Sequence, residues 1–113
     1  MIITFPWYPK ELSPNSSKHY LNKAQFKKRY RLECYYHTKA AMVDYPVRDD
    51  YKALQITFYK PNNRHMDLDN MLASIKSGLD GMADALGVND KCFKRIIIEV
   101  ANNIGGYIEV EVI

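Results

Sequence analysis

The feature that most constrains this chain is an apolar stripe between residues 68 and 86. Leu68, Leu72, Ile75, Leu79, Met82 and Leu86 follow one another at spacings of 4, 3, 4, 3 and 4. At about 100° per residue these side chains share one narrow face, which predicts an amphipathic helix with a single side to bury. Gly87 is placed to end it in a left-handed cap. Such a helix needs a second layer to pack on, and the flanking segments read as strands. Ile2 to Phe5 is short and apolar and is stopped by Pro6 and Pro9. Tyr51 to Tyr59 alternates through Leu54, Ile56 and Phe58. Phe93 to Ala101 contains Ile96-Ile97-Ile98, a strand expected to be buried. Tyr107 to Ile113 alternates Ile108, Val110 and Val112 with Glu109 and Glu111. Asn103 to Gly106 supplies a turn, so the last two strands are expected to form a hairpin.

A further helix, with Asn15, Ser16 and Ser17 as N-cap candidates, is expected to run to about Met42, because no Gly or Pro interrupts that stretch. The prediction is an α+β fold with a small mixed sheet, order β-α-β-α-β-β and two helices. At 113 residues the chain has the size of one domain, spanning 1–113.

Composition narrows the class. Hydrophobic residues make up 47% and charged residues 26%, the balance of a soluble globular chain. No apolar run approaches the roughly 18 residues needed to span a bilayer, and the N-terminus lacks the pattern of a secretion signal. Cys34 and Cys92 have neither metal-ligand spacing nor disulfide density and read as core residues. A cytoplasmic protein with reduced thiols and no membrane partner is expected.

The net charge of +3 hides an asymmetry. Residues 1–60 hold 11 Lys and Arg against 5 Asp and Glu, a balance of +6, whereas residues 61–113 hold 5 against 8, a balance of −3. Lys23, Lys27, Lys28, Arg29 and Arg31, flanked by Lys18 and Lys39, are interleaved with Tyr20, Phe26, Tyr30, Tyr35 and Tyr36. Such a stripe can track a phosphate backbone, or it can be the solvated face of a helix whose aromatic side enters the core.

The segment Asn63-Arg64-His65-Met66-Asp67-Leu68-Asp69-Asn70 carries the chemistry. If Asp67 is extended and Asp69 opens the helix, both carboxylates can face one hard cation from a rigid support. Asp90, just past that helix, can return to the same rim as a third ligand. An all-carboxylate set suits Mg²⁺, with Mn²⁺ as a substitute, rather than Zn²⁺. Such an ion supports attack of water on a phosphodiester. The alternative for Asp67 and Asp69 is helix capping, and for Asp90 a simple turn. An EF-hand is excluded, because the glutamate needed at the twelfth loop position would fall at Gly78. Lys76 follows Asp69 by seven residues, about 700° around the helix, and so projects from the same side. It can lean toward a bound phosphate or pair with Asp80 at i+4. Arg64 can hold a backbone phosphate. His65 is a loop residue, and His19 and His37 form no metal pair.

Three stretches together make the chain recognisable. Phe5-Pro6-Trp7-Tyr8-Pro9-Lys10-Glu11-Leu12-Ser13-Pro14-Asn15 opens it, Arg64-His65-Met66-Asp67-Leu68-Asp69-Asn70 lies at its centre, and Gly87-Val88-Asn89-Asp90 precedes the last strands. With the basic helix between them, they make the chain resemble the RusA family of Holliday-junction resolvases, in its phage and prophage form. The resemblance implies a RusA-like fold and a homodimer with two Mg²⁺-dependent sites, each nicking one strand of a four-way DNA junction in recombination and repair. It also implies that Asp67, Asp69 and Asp90 are the catalytic and metal-binding aspartates. Two positions depart from the family type. Its lysine four residues after the second aspartate is Ala73 here, and its basic residue before the first aspartate is Met66.

The resulting expectation is a crossover junction endodeoxyribonuclease. Asp67, Asp69 and Asp90 hold the metal, Lys76 and Arg64 stabilise the phosphate, and Lys27, Lys28 and Arg31 guide the DNA. The rival is a catalytically silent branched-DNA-binding module with the same fold.

Overall fold

A computed structural model describes residues 1–16 and 20–113. Lys18, His19 and the N-cap candidate Ser17 lie outside the described residues. The elements run β1 (Ile2–Pro6), α1 (Tyr20–Met42), β2 (Ala53–Tyr59), α2 (Leu68–Ser74), α3 (Lys76–Leu86), β3 (Arg95–Val100) and β4 (Tyr107–Val112). Short 3-10 turns occupy Lys10–Leu12 and Asp90–Cys92. The molecule is an α+β fold on a mixed four-stranded sheet ordered β1-β4-β2-β3.

The expected hairpin of the last two strands does not form. β4 instead lies between β1 and β2, antiparallel to both, and β3 runs parallel to β2 at the sheet edge. The turn before β4 is held by backbone bonds from Gly105 N to Lys60 O and from Gly106 N to Tyr59 O, which carry the chain across β2. Burial explains the exchange. β4 hides Ile108, Val110 and Val112 opposite Phe58, Ile56 and Leu54 of β2. β3 has no such complete face: Ile96 is 45% exposed and Val100 37% exposed, so this isoleucine-rich strand is not the buried one expected. Arg95 and Glu99 on it suit an edge, where charge discourages further pairing.

The predicted second helix is two helices, so the order is β-α-β-α-α-β-β. At Ile75 the backbone leaves helical geometry (φ −102°, ψ 7°). One residue earlier, Ser74 Oγ donates 2.7 Å back to Asn70 O, a bond that bends helices. The break lets α2 reach β3 while α3 packs along α1. It also rotates the apolar stripe. Ile75, Met82 and Leu86 are buried as expected, joined by Met71, but Leu68 is 46% exposed and Leu72 and Leu79 are half-buried.

Small residues allow α1 and α3 to approach. A Cβ on Gly78 would stand 2.6 Å from Tyr30 Cε2 and 2.8 Å from Cys34 Sγ, and one on Gly81 would overlap the Arg31 carbonyl oxygen. α1 buries Tyr30, Cys34 and Thr38, one turn apart. The Tyr30 hydroxyl donates 2.7 Å to Pro6 O, tying α1 to the end of β1. Burial pushes the Cys34 thiol up to about 12, so it is an inert core residue as expected. Gly87 ends α3 at φ 71°, the left-handed conformation that favours glycine.

Candidate active site

The acidic segment is anchored by its neighbours. Met66 packs against the core, and its Sδ lies 3.9 Å from the Tyr8 hydroxyl, which donates to it. Tyr8 in turn stacks on Trp7 at 4.8 Å. Met66 is thus an apolar pin for the loop.

Asp67 occupies the N-cap position of α2 in extended geometry (φ −73°, ψ 137°), yet its carboxylate makes no capping bond. His65 Nε2 lies 3.1 Å from Asp67 Oδ1. Asp69 sits in the first turn of α2, one residue pair further on. The backbone therefore takes the extended-then-helical form read from the sequence, and capping does not account for Asp67.

A cavity of about 650 Å³ lies where α2, α3, β3 and the Asp90–Cys92 turn meet. Leu54, Leu72, Leu79, Met82, Phe93 and Ile96 supply its apolar walls. Asp69, Lys76, Asp80, Asp90 and Lys27 also line it. Four of the expected site residues, Lys27, Asp69, Lys76 and Asp90, are therefore gathered at one concavity by four different elements. Asp90 reaches it because it opens the turn that leads into β3; the preceding Asn89 side chain accepts a 3.0 Å bond from Lys91 N and shapes that turn.

Lys76 is the electrostatic hub. Its Nζ donates 2.9 Å to Asp80 Oδ1, the i+4 pair read from the sequence, and lies 3.6 Å from Asp90 Oδ2. The bond to Asp80, with the charges of Asp80 and Asp90, holds Lys76 above the usual lysine range against a lowering by burial. It is a cation at any physiological pH. Asp80 is the carboxylate that the sequence reading did not count as a site residue. Its signal was present, since it shares the stripe of Asp69 and Lys76, but its pairing with Lys76 explained it sufficiently.

Other expected residues are placed elsewhere. Asp67 and Arg64 do not line the cavity. Arg64 sits in an exposed loop whose backbone is held by Lys60 Nζ on its carbonyl (2.8 Å) and Asn62 Oδ1 on its N–H (3.0 Å). Arg31 makes a two-pronged ion pair with Asp84 of α3, at 2.8 and 3.0 Å. Lys28 and Arg29 are exposed on α1, with the Arg29 guanidinium 5.9 Å from the Phe26 ring centre.

Among the described residues, no group of three or more His, Cys, Asp or Glu side chains is close enough to hold a metal ion together. Asp69, Asp80 and Asp90 line the cavity as separate carboxylates and do not form such a group. Mg²⁺ takes only one or two protein carboxylates and fills the rest of its shell with water and phosphate oxygens. No helix among the described residues is long and apolar enough to cross a membrane.

No known protein-family profile matches the chain. It is 37% identical over 94 residues to an uncharacterized protein of Xylella fastidiosa, a match covering 80% of this chain and 61% of that protein. The chain thus spans less than two thirds of the length of the relative it matches.

Proposed function

We propose that this protein is a Mg²⁺-dependent, structure-selective endodeoxyribonuclease of the RusA type that resolves four-way DNA junctions by paired nicks. The observation that carries the reading is the joint presence of Asp69, Lys76 and Asp90 at one cavity, contributed by three separate elements. Asp69 and Asp90 would hold the metal, with Asp67, two residues before Asp69 at the start of α2, as a third ligand. When bound, Mg²⁺ or Mn²⁺ supplies polarisation of the scissile phosphate and a more acidic water.

The chain's own groups provide the rest. Lys76, held as an ammonium, is positioned to exchange Asp80 for an anionic oxygen of the substrate and to neutralise charge there. His65 orients the Asp67 carboxylate through their 3.1 Å contact. Lys27 and Lys28, with Arg64 on the loop, meet the phosphate backbone and set the DNA's path without reading its sequence. Arg31 contributes after release from Asp84. A homodimer, with two identical sites related by a two-fold axis, suits two nicks on opposed strands.

A second reading has its own support. Lys76 is engaged by two carboxylates, and Ala73 leaves the family's lysine position empty of charge. A branched-DNA-binding module without cleavage is the protein these features would make. Cleavage of a labelled four-way junction in Mg²⁺, beside linear duplex of equal length and Asp69→Asn, separates the two. Paired nicks in the junction that vanish in the variant are expected. If Asp69→Asn cuts at the wild-type rate, the metal assignment fails; tight junction binding without cleavage in Mg²⁺ or Mn²⁺ establishes the silent module.

A further inference from the structure

The cavity is more than a carboxylate cluster needs. A metal site requires a few oxygens at a surface, whereas here the charged groups border a concavity walled by leucines, Met82 and Phe93. Its volume of about 650 Å³ is that of a small-molecule pocket. Ser77 lines it, and among the described residues the Ser77 hydroxyl oxygen is buried with no hydrogen-bond partner. An orphaned buried hydroxyl is unfavourable and calls for a partner. Lys27 of α1 and Lys76 of α3 add two cations to the lining, and Lys27 continues into the exposed basic run of α1.

With Asp69, Asp80 and Asp90 of the same cavity neutralised by a bound divalent cation, a ligand matching this set has flat apolar faces, a polar edge and a phosphate attached. We propose that the cavity receives one base of the bound DNA, unstacked from its neighbours. The faces of that base lie against Leu72, Leu79 and Phe93, its polar edge meets Ser77, and its phosphate meets Lys27 and Lys76. The proposal rests on the nuclease reading for the identity of the nucleic acid and extends it to the origin of branch selectivity. Extracting a base from regular duplex is unfavourable, and less so where pairing and stacking are already broken. A branch point supplies such bases; a linear duplex does not. Stacking on an aromatic side chain, here Phe93, offsets the extraction and tolerates any base.

The test uses the whole chain and 2-aminopurine deoxyriboside 5′-monophosphate, which has no phosphodiester to cleave, followed by fluorescence in Mg²⁺. Saturable binding is expected, with deoxyribose 5-phosphate competing at least about tenfold more weakly than the nucleotide. Ala73→Trp places an indole at an exposed lining position and should weaken binding by about tenfold or more with thermal unfolding unchanged. Ser77→Ala, which removes only the hydroxyl, should weaken it by about fivefold, the worth of one neutral hydrogen bond. Equal competition by deoxyribose 5-phosphate would mean a phosphate site without a base pocket and would overturn the proposal. So would displacement by N-acetylphenylalanine amide as effective as by the nucleotide, which would mark a peptide groove. A chain that cleaves no junction but binds the nucleotide in this pattern loses the nuclease reading and keeps the pocket. Junction cleavage without base-dependent binding does the reverse.

Discussion

Replacing Gly81 by alanine sets two opposed effects against each other, and the geometry decides the sign. In an exposed helix the change would stabilise by about 1 kcal/mol, because alanine loses less backbone entropy and has the higher helix propensity. Gly81 is instead buried at the crossing of α1 and α3, where an added Cβ would overlap the Arg31 carbonyl oxygen. A backbone atom cannot rotate aside as a side chain can, so the two helices must separate. Overpacking of this kind costs about 1–3 kcal/mol, and a rigid obstacle puts this case near 3. The net loss is therefore about 2 kcal/mol, which at about 4 °C per kcal/mol for a domain of this size lowers Tm by about 8 °C. Thermal unfolding of Gly81→Ala beside Gly87→Ala tests the reasoning. Gly87 has φ 71° with nothing within 4 Å of an added Cβ, so its variant feels backbone strain alone, about 1 kcal/mol, and should lose about half as much. A Gly81→Ala protein that melts at or above the wild-type temperature would refute the close approach of the helices. The consequence is also functional, because α3 carries Lys76 and Asp80, and displacing it should lower junction cleavage at temperatures where the protein remains folded.

Four other outcomes follow from the same contacts. Ala73→Lys places a charge at an exposed lining position of the cavity and, under the proposed function, should raise the single-turnover rate of junction cleavage severalfold; an unchanged rate would show that Lys76 already fills that role. Lys76→Met should cost under about 1 kcal/mol of stability in urea unfolding, because its ion pairs are solvent-screened, while sharply lowering cleavage. Tyr30→Phe leaves the Pro6 carbonyl without its 2.7 Å donor and should cost about 1–2 kcal/mol in the same assay. The raised Cys34 thiol has a defined pH signature. Its folded value, about 12, exceeds the unfolded value of about 8.5, so its contribution is complete below about pH 8.5 and is lost progressively as pH rises toward 12. Cys34→Ala should flatten that alkaline slope, and at pH 8 iodoacetamide should modify half-buried Cys92 before Cys34.

What the sequence alone determined is local. Alternation in β2 and β4 marked the buried Leu54, Ile56, Phe58, Ile108, Val110 and Val112, because a strand's two faces are fixed by a period of two wherever the chain later goes. The extended Asp67, the helical Asp69, the cap at Gly87 and the Lys76–Asp80 pair were legible for the same reason: each involves residues within a turn or two of one another. The gathering of Asp69, Lys76 and Asp90 was readable only as a possibility, because Asp90 comes to the cavity through a turn between α3 and β3.

Only the tertiary structure decided the rest. The break at Ile75 is invisible in a 4-3-4-3-4 spacing, because periodicity records which face is apolar and not which partner will bury it. α2 and α3 have different partners, β3 and α1, and one straight helix cannot meet both. Likewise Ile96-Ile97-Ile98 outranks β4 in hydrophobicity, yet β4 takes the inner position because only its alternating face can be buried completely between β1 and β2. The apolar cavity beside the carboxylates is a product of that same arrangement. Leu72 and Leu79 belong to the predicted core stripe, but the helix break turns them away from full burial and makes them its walls.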